Sequence, residues 1–166
     1  MCGIAGEISF THSVIDNKDS FLNMQKVLAP RGPDQNGMYI RDNVALIHSR
    51  LAIIDIENGI QPMTCKYGNK EYTIVYNGEL YNTEEIRNEL LLLGYNFSGH
   101  SDTEVILKSF VHWKEDCINK FNGIFAFAIW DNFEKRLFFA RDRMGVKPFF
   151  YTIVNNSFVF GSEIKA

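Results

Sequence analysis

Short β-rich runs that follow one another through turns constrain the fold of this chain more than any other feature. After Gly123 the sequence predicts four strands, at 124–130, 136–141, 149–154 and 158–161. Earlier in the chain it predicts strands at 3–10, 37–40, 44–54 and 71–76. Strands joined by short turns pair antiparallel, because a parallel pair needs a long crossover. The sequence therefore predicts mainly antiparallel sheets.

Three segments have the spacing of amphipathic helices. The first covers 16–28, the second is expected between a cap at Asn82 and a stop at Gly94, and the third begins with Asp102 as its cap. Residues 58–68 are interrupted by Gly and Pro and are predicted to be a loop. The early and the late strands are both rich in apolar residues, and the amphipathic helices need a surface to pack on. The sequence therefore predicts an α+β domain of two stacked sheets flanked by helices.

Length and composition exclude several classes of protein. The 166 residues fit one domain, and a net charge of −3 without a basic stripe argues against nucleic acid as a partner. No apolar run approaches the roughly 20 residues of a membrane span. The three cysteines are widely spaced, which predicts a reduced, cytoplasmic protein without a disulfide framework. The four scattered histidines show no ligand spacing, so no metal is expected.

Cys2 directly follows the initiator Met1. Removal of Met1, which is usual before a small residue, would leave Cys2 with a free α-amino group. One residue would then carry both a thiol nucleophile and an amine that titrates near pH ~8 and can accept the thiol proton. A cysteine near a chain end is weak evidence by itself, because termini tolerate most residues.

Three other positions offer groups that could bind an amino acid or stabilise an oxyanion. Arg50 could clamp a carboxylate bidentately, or be an ordinary solvated strand residue. The Asn77 amide beside the Gly78 N–H makes a pair of oxyanion donors, although Asn-Gly is also a common hairpin turn. Asp102 could cap a helix or hold a substrate ammonium. A carboxylate and a separate arginine are what recognition of a free α-amino acid requires.

Nine segments, in order along the chain, resemble the class II (N-terminal nucleophile) glutamine amidotransferase domain, specifically that of the glutamine-hydrolysing asparagine synthetases. They are MCGI (1–4), RGPD (31–34), HSRLAIID (48–55), QPM (61–63), NGELYN (77–82), SDTEVIL (101–107), GIFAFA (123–128), RDRMGVKP (141–148) and SEIKA (162–166). Each segment alone is weak evidence. Nine of them in family order, anchored by a cysteine at position 2, are specific.

The resemblance implies a fold and a set of roles. The fold is the four-layer αββα sandwich of the N-terminal nucleophile (Ntn) hydrolases. Cys2 would attack the side-chain amide carbon of glutamine, and its α-amine would shuttle the proton. Asn77 and Gly78 would form the oxyanion hole, Arg50 would bind the substrate carboxylate, and Asp102 would bind its ammonium. Backbone groups at the remaining positions would complete the pocket: Leu51, Ile53, Ile54 and Glu79.

The resemblance also bears on domains, cofactors and partners. It implies one glutaminase domain over 1–166 that needs no cofactor and supplies ammonia to a C-terminal synthetase domain or subunit absent from this chain. ATP and Mg would be needed only in that synthetase domain, and asparagine would be the product of the intact enzyme. A homodimer of the full enzyme is compatible with it. Asp55 and residues 31–34 are interpreted as supporting loop structure.

Two alternatives remain open at this point. The domain could serve an amidotransferase with a different acceptor. Sugar-phosphate and phosphoribosyl enzymes have an HTRWATHG-like segment around the arginine, where this chain has HSRLAIID, and that departure argues against them. If Met1 is retained, the nitrogen of Cys2 is an amide, and the chain would be an inactive glutamine-binding or regulatory module.

Arg141, Asp142 and Lys147 are predicted to form a buried charge network.

Overall fold

The computed structural model describes residues 1–53 and 55–166. Its strands are β1 (Gly3–Ser9), β2 (Gln35–Arg41), β3 (Val44–Arg50), β4 (Met63–Tyr67), β5 (Lys70–Leu80), β6 (Gly123–Asp131), β7 (Arg136–Arg141), β8 (Phe150–Val154) and β9 (Ser157–Gly161). Its α-helices are α1 (Lys18–Leu28), α2 (Thr83–Leu92) and α3 (Asp102–Trp113), and short 3₁₀ helices lie at 15–17, 29–31 and 114–120. No helix in the described part of the chain is long and apolar enough to span a bilayer.

The strands form two sheets, in the orders β2-β3-β1-β9-β8 and β4-β5-β6-β7. Every neighbouring pair is antiparallel. This confirms the prediction made from the consecutive short strands. β1, the central strand of the first sheet, begins directly after Cys2, and β5, an inner strand of the second sheet, carries the Asn77-Gly78 pair.

Alternation along β3 shows how the layers stack. Ala45 and Ile47 pack with α1 on the outer face of the first sheet, whereas Val44 and Leu46 face the second sheet, because successive side chains of a strand point to opposite faces. Trp130 is among the second-sheet residues buried between the sheets. The other face of that sheet packs with α2 and α3 through a third apolar cluster. The predicted four-layer αββα sandwich is confirmed.

The predicted strand boundaries were wrong in three places. β3 ends at Arg50 and does not continue towards 54, and the segment 58–68, predicted to be a loop, contains β4. β5 does not stop at Tyr76 but continues to Leu80. The physical reason is the pairing of Gly78 with Phe125 on β6. A Cβ on Gly78 would lie 2.4 Å from the carbonyl oxygen of Ile124, so glycine permits the two strands to approach here rather than ending the strand.

Of the three predicted helix caps, Gly94 is confirmed, whereas Asn82 and Asp102 do not cap their helices. Asn82 precedes α2 but makes no capping hydrogen bond, and its side chain bonds the backbone of Lys120 and Asn122 instead. Ser101 caps α3 by accepting a hydrogen bond from the Glu104 N–H, which leaves Asp102 as the first helical residue. Gly94, with φ +89°, ends α2 as predicted, since a left-handed residue there closes the helix.

His48 links the two sheets near Cys2. It is fully buried on β3, and its Nε2 donates to the carbonyl oxygen of Tyr76 on β5 at 3.1 Å. Because a carbonyl only accepts, Nε2 carries the proton and Nδ1 is unprotonated, and Nδ1 has no hydrogen-bond partner among the described residues. Burial, assisted by the charge of Arg50, lowers the pKa of His48 from 6.5 to about 4. The imidazole is therefore neutral at physiological pH.

We expect His48→Gln to make stability less sensitive to acid. In the unfolded chain His48 is protonated near its ordinary pKa of 6.5, whereas in the folded chain it is protonated only near a pKa of about 4. The contribution of the neutral His48 to the free energy of unfolding is therefore complete above pH 6.5 and is lost as the pH falls towards 4. Between pH 6.5 and 4.5, the free energy of unfolding in urea should fall by about 2 kcal/mol less in the variant than in the wild type. Parallel curves would contradict this account.

Candidate active site

A cavity of about 270 Å³ opens where the two sheets meet the start of α3. Cys2 reaches it from just before β1 and Arg50 from the end of β3. Asn77 and Gly78 reach it from β5, and Asp102 from the first position of α3. Leu51, Ile53 and Glu79 complete the set of predicted site residues along its wall. Ile54 lies outside the described residues. The fold thus brings all the other predicted residues to one cavity, although they are spread over 100 positions of sequence.

The thiol of Cys2 lies against the backbone of Leu51. Its Sγ accepts a hydrogen bond from the Leu51 N–H at 3.4 Å and donates to the Leu51 carbonyl oxygen at 3.6 Å. A backbone N–H directed at the sulfur stabilises the thiolate that forms when the thiol loses its proton. The thiol is half-buried beside the cavity, where it can reach a ligand.

The backbone of Cys2 is fixed by Arg31. The Nε of Arg31 donates to the Cys2 carbonyl oxygen at 3.0 Å, and its Nη1 forms an ion pair with Glu163 at 2.8 Å. Asp34, from the same segment, accepts a hydrogen bond from the Ala52 N–H at 2.8 Å. These contacts give residues 31–34 the supporting position that the sequence suggested.

Asn77 presents a hydrogen-bond donor that nothing in the described residues satisfies. The residue is 2% exposed, and its Nδ2 has no partner there. A buried donor without a partner costs about 1–3 kcal/mol, so native proteins rarely contain one unless a ligand or a solvent molecule uses it. Gly78 lines the same cavity at the next position of β5. The arrangement suits an oxygen that becomes negatively charged during a reaction.

Asp102 places a carboxylate in the wall of the same cavity. Its Oδ2 accepts hydrogen bonds from the Tyr76 hydroxyl at 2.7 Å and from the Leu80 N–H at 3.3 Å. Burial raises the pKa of the Asp102 carboxyl above its ordinary value, although these hydrogen bonds act in the opposite direction. A cation bound in the cavity would offset the cost of burying that charge.

Arg50 is almost fully buried, and its guanidinium interacts with the loop that follows β3. Nη2 donates to the carbonyl oxygen of Asp55 at 2.7 Å, and Nη1 donates to that of Ile56 at 2.8 Å. The Asp55 carboxylate holds this loop by accepting from the N–H groups of Asn58 and His100, and these bonds lower the pKa of Asp55. A carboxylate bound at Arg50 would compete with the loop carbonyls for the same guanidinium.

Several residues of the cavity were not predicted. Gln61 joins three elements, since its Oε1 accepts from the Tyr76 N–H at 2.6 Å and its Nε2 donates to the Thr103 hydroxyl at 3.1 Å. Ser101 and Lys147 also line the wall. Gln61, Ser101, Thr103 and Lys147 all belong to segments that carried the family resemblance, which was the one available signal. Their residue types alone indicate no particular chemistry.

The predicted charge network of Arg141, Asp142 and Lys147 does not form. The Nε of Arg141 donates to the backbone carbonyl of Lys147, and the Asp142 carboxylate accepts from the backbone N–H groups of Val146 and Lys147. These contacts shape the turn between β7 and β8, where φ of Gly145 is +65°. The Lys147 ammonium is directed elsewhere, to the sulfur of Met1 at 3.4 Å.

Residues 1–53 and 55–166 contain no group of three or more His, Cys, Asp or Glu side chains that could hold a metal ion.

Comparison with known proteins identifies relatives over the whole chain. Residues 1–166 match a family model described as a glutamine amidotransferase domain. The chain is 52% identical over 166 residues to asparagine synthetase [glutamine-hydrolyzing] 3 of Bacillus subtilis (strain 168), a match that covers all of this chain and 27% of that protein. It is 35% identical over 178 residues to the amidase chry2 of Gibberella zeae, and covers 26% of it. The chain therefore spans about a quarter of the length of these curated relatives.

Among solved structures, a glutamine phosphoribosylpyrophosphate amidotransferase from B. subtilis has the same fold. The two superpose with a TM-score of 0.80 over 98% of this chain and 42% of the other, at 21% sequence identity. At that identity the similarity concerns the αββα architecture alone.

Proposed function

The chain belongs to the family of glutamine amidotransferase domains, and from that premise we propose that it hydrolyses glutamine to glutamate and ammonia through a thioester on Cys2. One observation carries the proposal. A single cavity contains a thiol, a buried amide donor that has no partner among the described residues, and a buried carboxylate at the start of a helix. These are the groups needed to attack an amide, to stabilise the resulting oxyanion and to hold the substrate's ammonium.

Before any turnover, Met1 would be removed, which frees the α-amine of Cys2. That amine takes the thiol proton, and the sulfur attacks the side-chain amide carbon of glutamine. The negative charge that develops on the amide oxygen is stabilised by the Asn77 Nδ2 and by the Gly78 N–H. Collapse of this intermediate breaks the C–N bond, and the α-ammonium gives its proton to the departing ammonia. Water, deprotonated by the same amine, then cleaves the thioester to glutamate and restores the thiol.

Substrate recognition would use two opposite charges that line the cavity. Asp102 binds the α-ammonium of glutamine, and Arg50 binds its α-carboxylate as the carboxylate replaces a loop carbonyl. Backbone groups of Leu51, Ile53, Ile54 and Glu79 complete the pocket in this proposal. Glutamine is the substrate that satisfies all of these contacts.

We expect Asp102→Asn to lower kcat/KM for glutamine about 100-fold, mostly through KM. The substitution keeps the shape of the side chain and removes the charge that pairs with the ammonium. Thermal stability should change little, because the amide oxygen of Asn can still accept from the Tyr76 hydroxyl and the Leu80 N–H, and because Ser101 rather than Asp102 caps α3. Steady-state kinetics and a thermal melt on the same sample measure both effects.

The matched control is Asp131→Asn, another buried carboxylate that accepts backbone hydrogen bonds, but outside the cavity. It should lower the melting temperature without raising KM. A normal KM in Asp102→Asn would reject the role of this carboxylate in binding.

The ammonia would pass to a synthetase-type domain that uses ATP and Mg. The name of the B. subtilis relative supports aspartate as its acceptor and asparagine as the product. A relative named as an amidase shows that similar domains occur in proteins with other names, so a different acceptor is the second candidate. The three cysteines, each free, fit a cytoplasmic location.

The first experiment measures glutamate release from glutamine by the purified protein, after intact mass has shown whether Met1 is present. We expect release by protein that lacks Met1, and none by a form whose N-terminus carries an uncleaved extension. Equal release by both forms would refute the role of the α-amine. Binding of glutamine without any release by the processed protein would support the regulatory alternative.

A further inference from the structure

Lys147 is a cavity residue to which the proposed mechanism gives no role. Lys147 is 7% exposed and lies in the turn between β7 and β8. Among the described residues its Nζ has no carboxylate within ion-pairing distance, and its one hydrogen-bond contact is the Sδ of Met1 at 3.4 Å. The nearby Asp142 carboxylate is engaged by backbone N–H groups.

A buried ammonium without a counter-charge is costly, because burial removes it from water and no ion pair compensates. Such a group persists where its charge acts on something else in the site. The sulfur that it contacts belongs to Met1, whose carbonyl carbon is bonded to the nitrogen of Cys2. The Met1 residue therefore bridges the two groups: its sulfur contacts the Lys147 Nζ, and its carbonyl carbon is bonded to the nitrogen that becomes the α-amine.

Resting on the proposed function, we propose that Lys147 keeps the α-amino group of Cys2 in its neutral, proton-accepting form once Met1 is removed. Two like charges at the wall of one cavity repel each other, so a nearby ammonium disfavours protonation of the amine. A protonated amine cannot take the thiol proton. Lys147 thus acts through Cys2 and does not itself touch the reacting atoms.

Other charges around the cavity act on the same amine. Arg31, which donates to the Cys2 carbonyl, and Arg50 on β3 have the same sign as Lys147. Asp102 on α3 and Glu79 on β5 have the opposite sign. Asp102 is engaged by Tyr76 and Leu80, and by the substrate ammonium in the complex, while Glu79 is exposed to solvent. Lys147 is the cation that contacts the residue covering the Cys2 nitrogen.

The test is the pH profile of kcat/KM for Lys147→Met, a neutral side chain of similar length. We expect the acidic limb to move upward by about one pH unit, so that activity falls about tenfold at pH 6.5 and stays within about twofold of wild type at pH 9. Lys147→Arg, which keeps the charge, should retain the wild-type profile. A loss that is equal at all pH values, or no shift, would overturn the inference.

A second measurement does not depend on turnover or on the fold of a variant. The α-amine of processed wild-type protein, labelled with ¹⁵N-cysteine, is titrated by NMR. We expect a midpoint about one pH unit below the ordinary α-amine range of about 7.7–8.0. An ordinary midpoint in an active glutaminase would overturn the role of Lys147 alone. Retained Met1, seen by intact mass, would overturn this inference and the proposed function together.

Discussion

Cys2→Ala is expected to lower the rate of glutamine hydrolysis at least about 1,000-fold, because it removes the cavity sulfur that would form the thioester. Alanine at position 2 is also small, so Met1 should still be removed and the α-amine should still be present. The loss would then be caused by the missing sulfur alone. Thermal stability should remain close to that of the wild type, since the Sγ makes two long hydrogen bonds to the backbone of Leu51, at 3.4 and 3.6 Å.

The matched control for this variant is Cys65→Ala. Cys65 lies on β4 against the apolar cluster beneath α3, and burial raises the pKa of its thiol to about 11, so it stays protonated at neutral pH. Its removal should leave kcat unchanged. Residual activity above a few per cent in Cys2→Ala, with full activity in Cys65→Ala, would mean that hydrolysis does not use a thioester on Cys2.

The sequence predicts the layers of this fold well, because their signals are periodic. The alternation of Val44, Ala45, Leu46 and Ile47 assigns one residue set to each face of β3, and the structure buries both sets. A strand buried on both faces still shows a run of apolar residues, so its existence is easily detected. Its end is not, since Leu51 to Ile53 continue the apolar run after β3 has stopped.

Local patterns are misleading where tertiary contacts decide. The Asn77-Gly78 pair has the composition of a turn, yet pairing with β6 extends the strand through it. Asp102 is a good capping residue, but the adjacent Ser101 takes that position and leaves the carboxylate for the cavity. Lys147 shows the same limit, because no pattern in the sequence predicts that its ammonium approaches Met1.

The unpaired amide of Asn77 leads to the second large prediction. Asn77→Ala should lower kcat about 100- to 1,000-fold, as expected for the loss of one oxyanion donor, with a smaller effect on KM. It should not destabilise the fold through lost hydrogen bonding at Nδ2, because that atom has no partner in residues 1–53 and 55–166. Kinetics and urea unfolding, measured on the same preparation, test both statements.

Asn82→Ala is the reciprocal control. The Asn82 side chain joins the start of α2 to the backbone of Lys120 and Asn122 through two hydrogen bonds, at 2.9 and 3.0 Å. Its loss should lower the free energy of unfolding by about 1–3 kcal/mol and leave kcat unchanged. If Asn77→Ala instead lost stability and retained kcat, the amide would be a structural group. Opposite behaviour of these two asparagines, five positions apart, would identify Nδ2 of Asn77 as a donor that forms its hydrogen bond in the transition state.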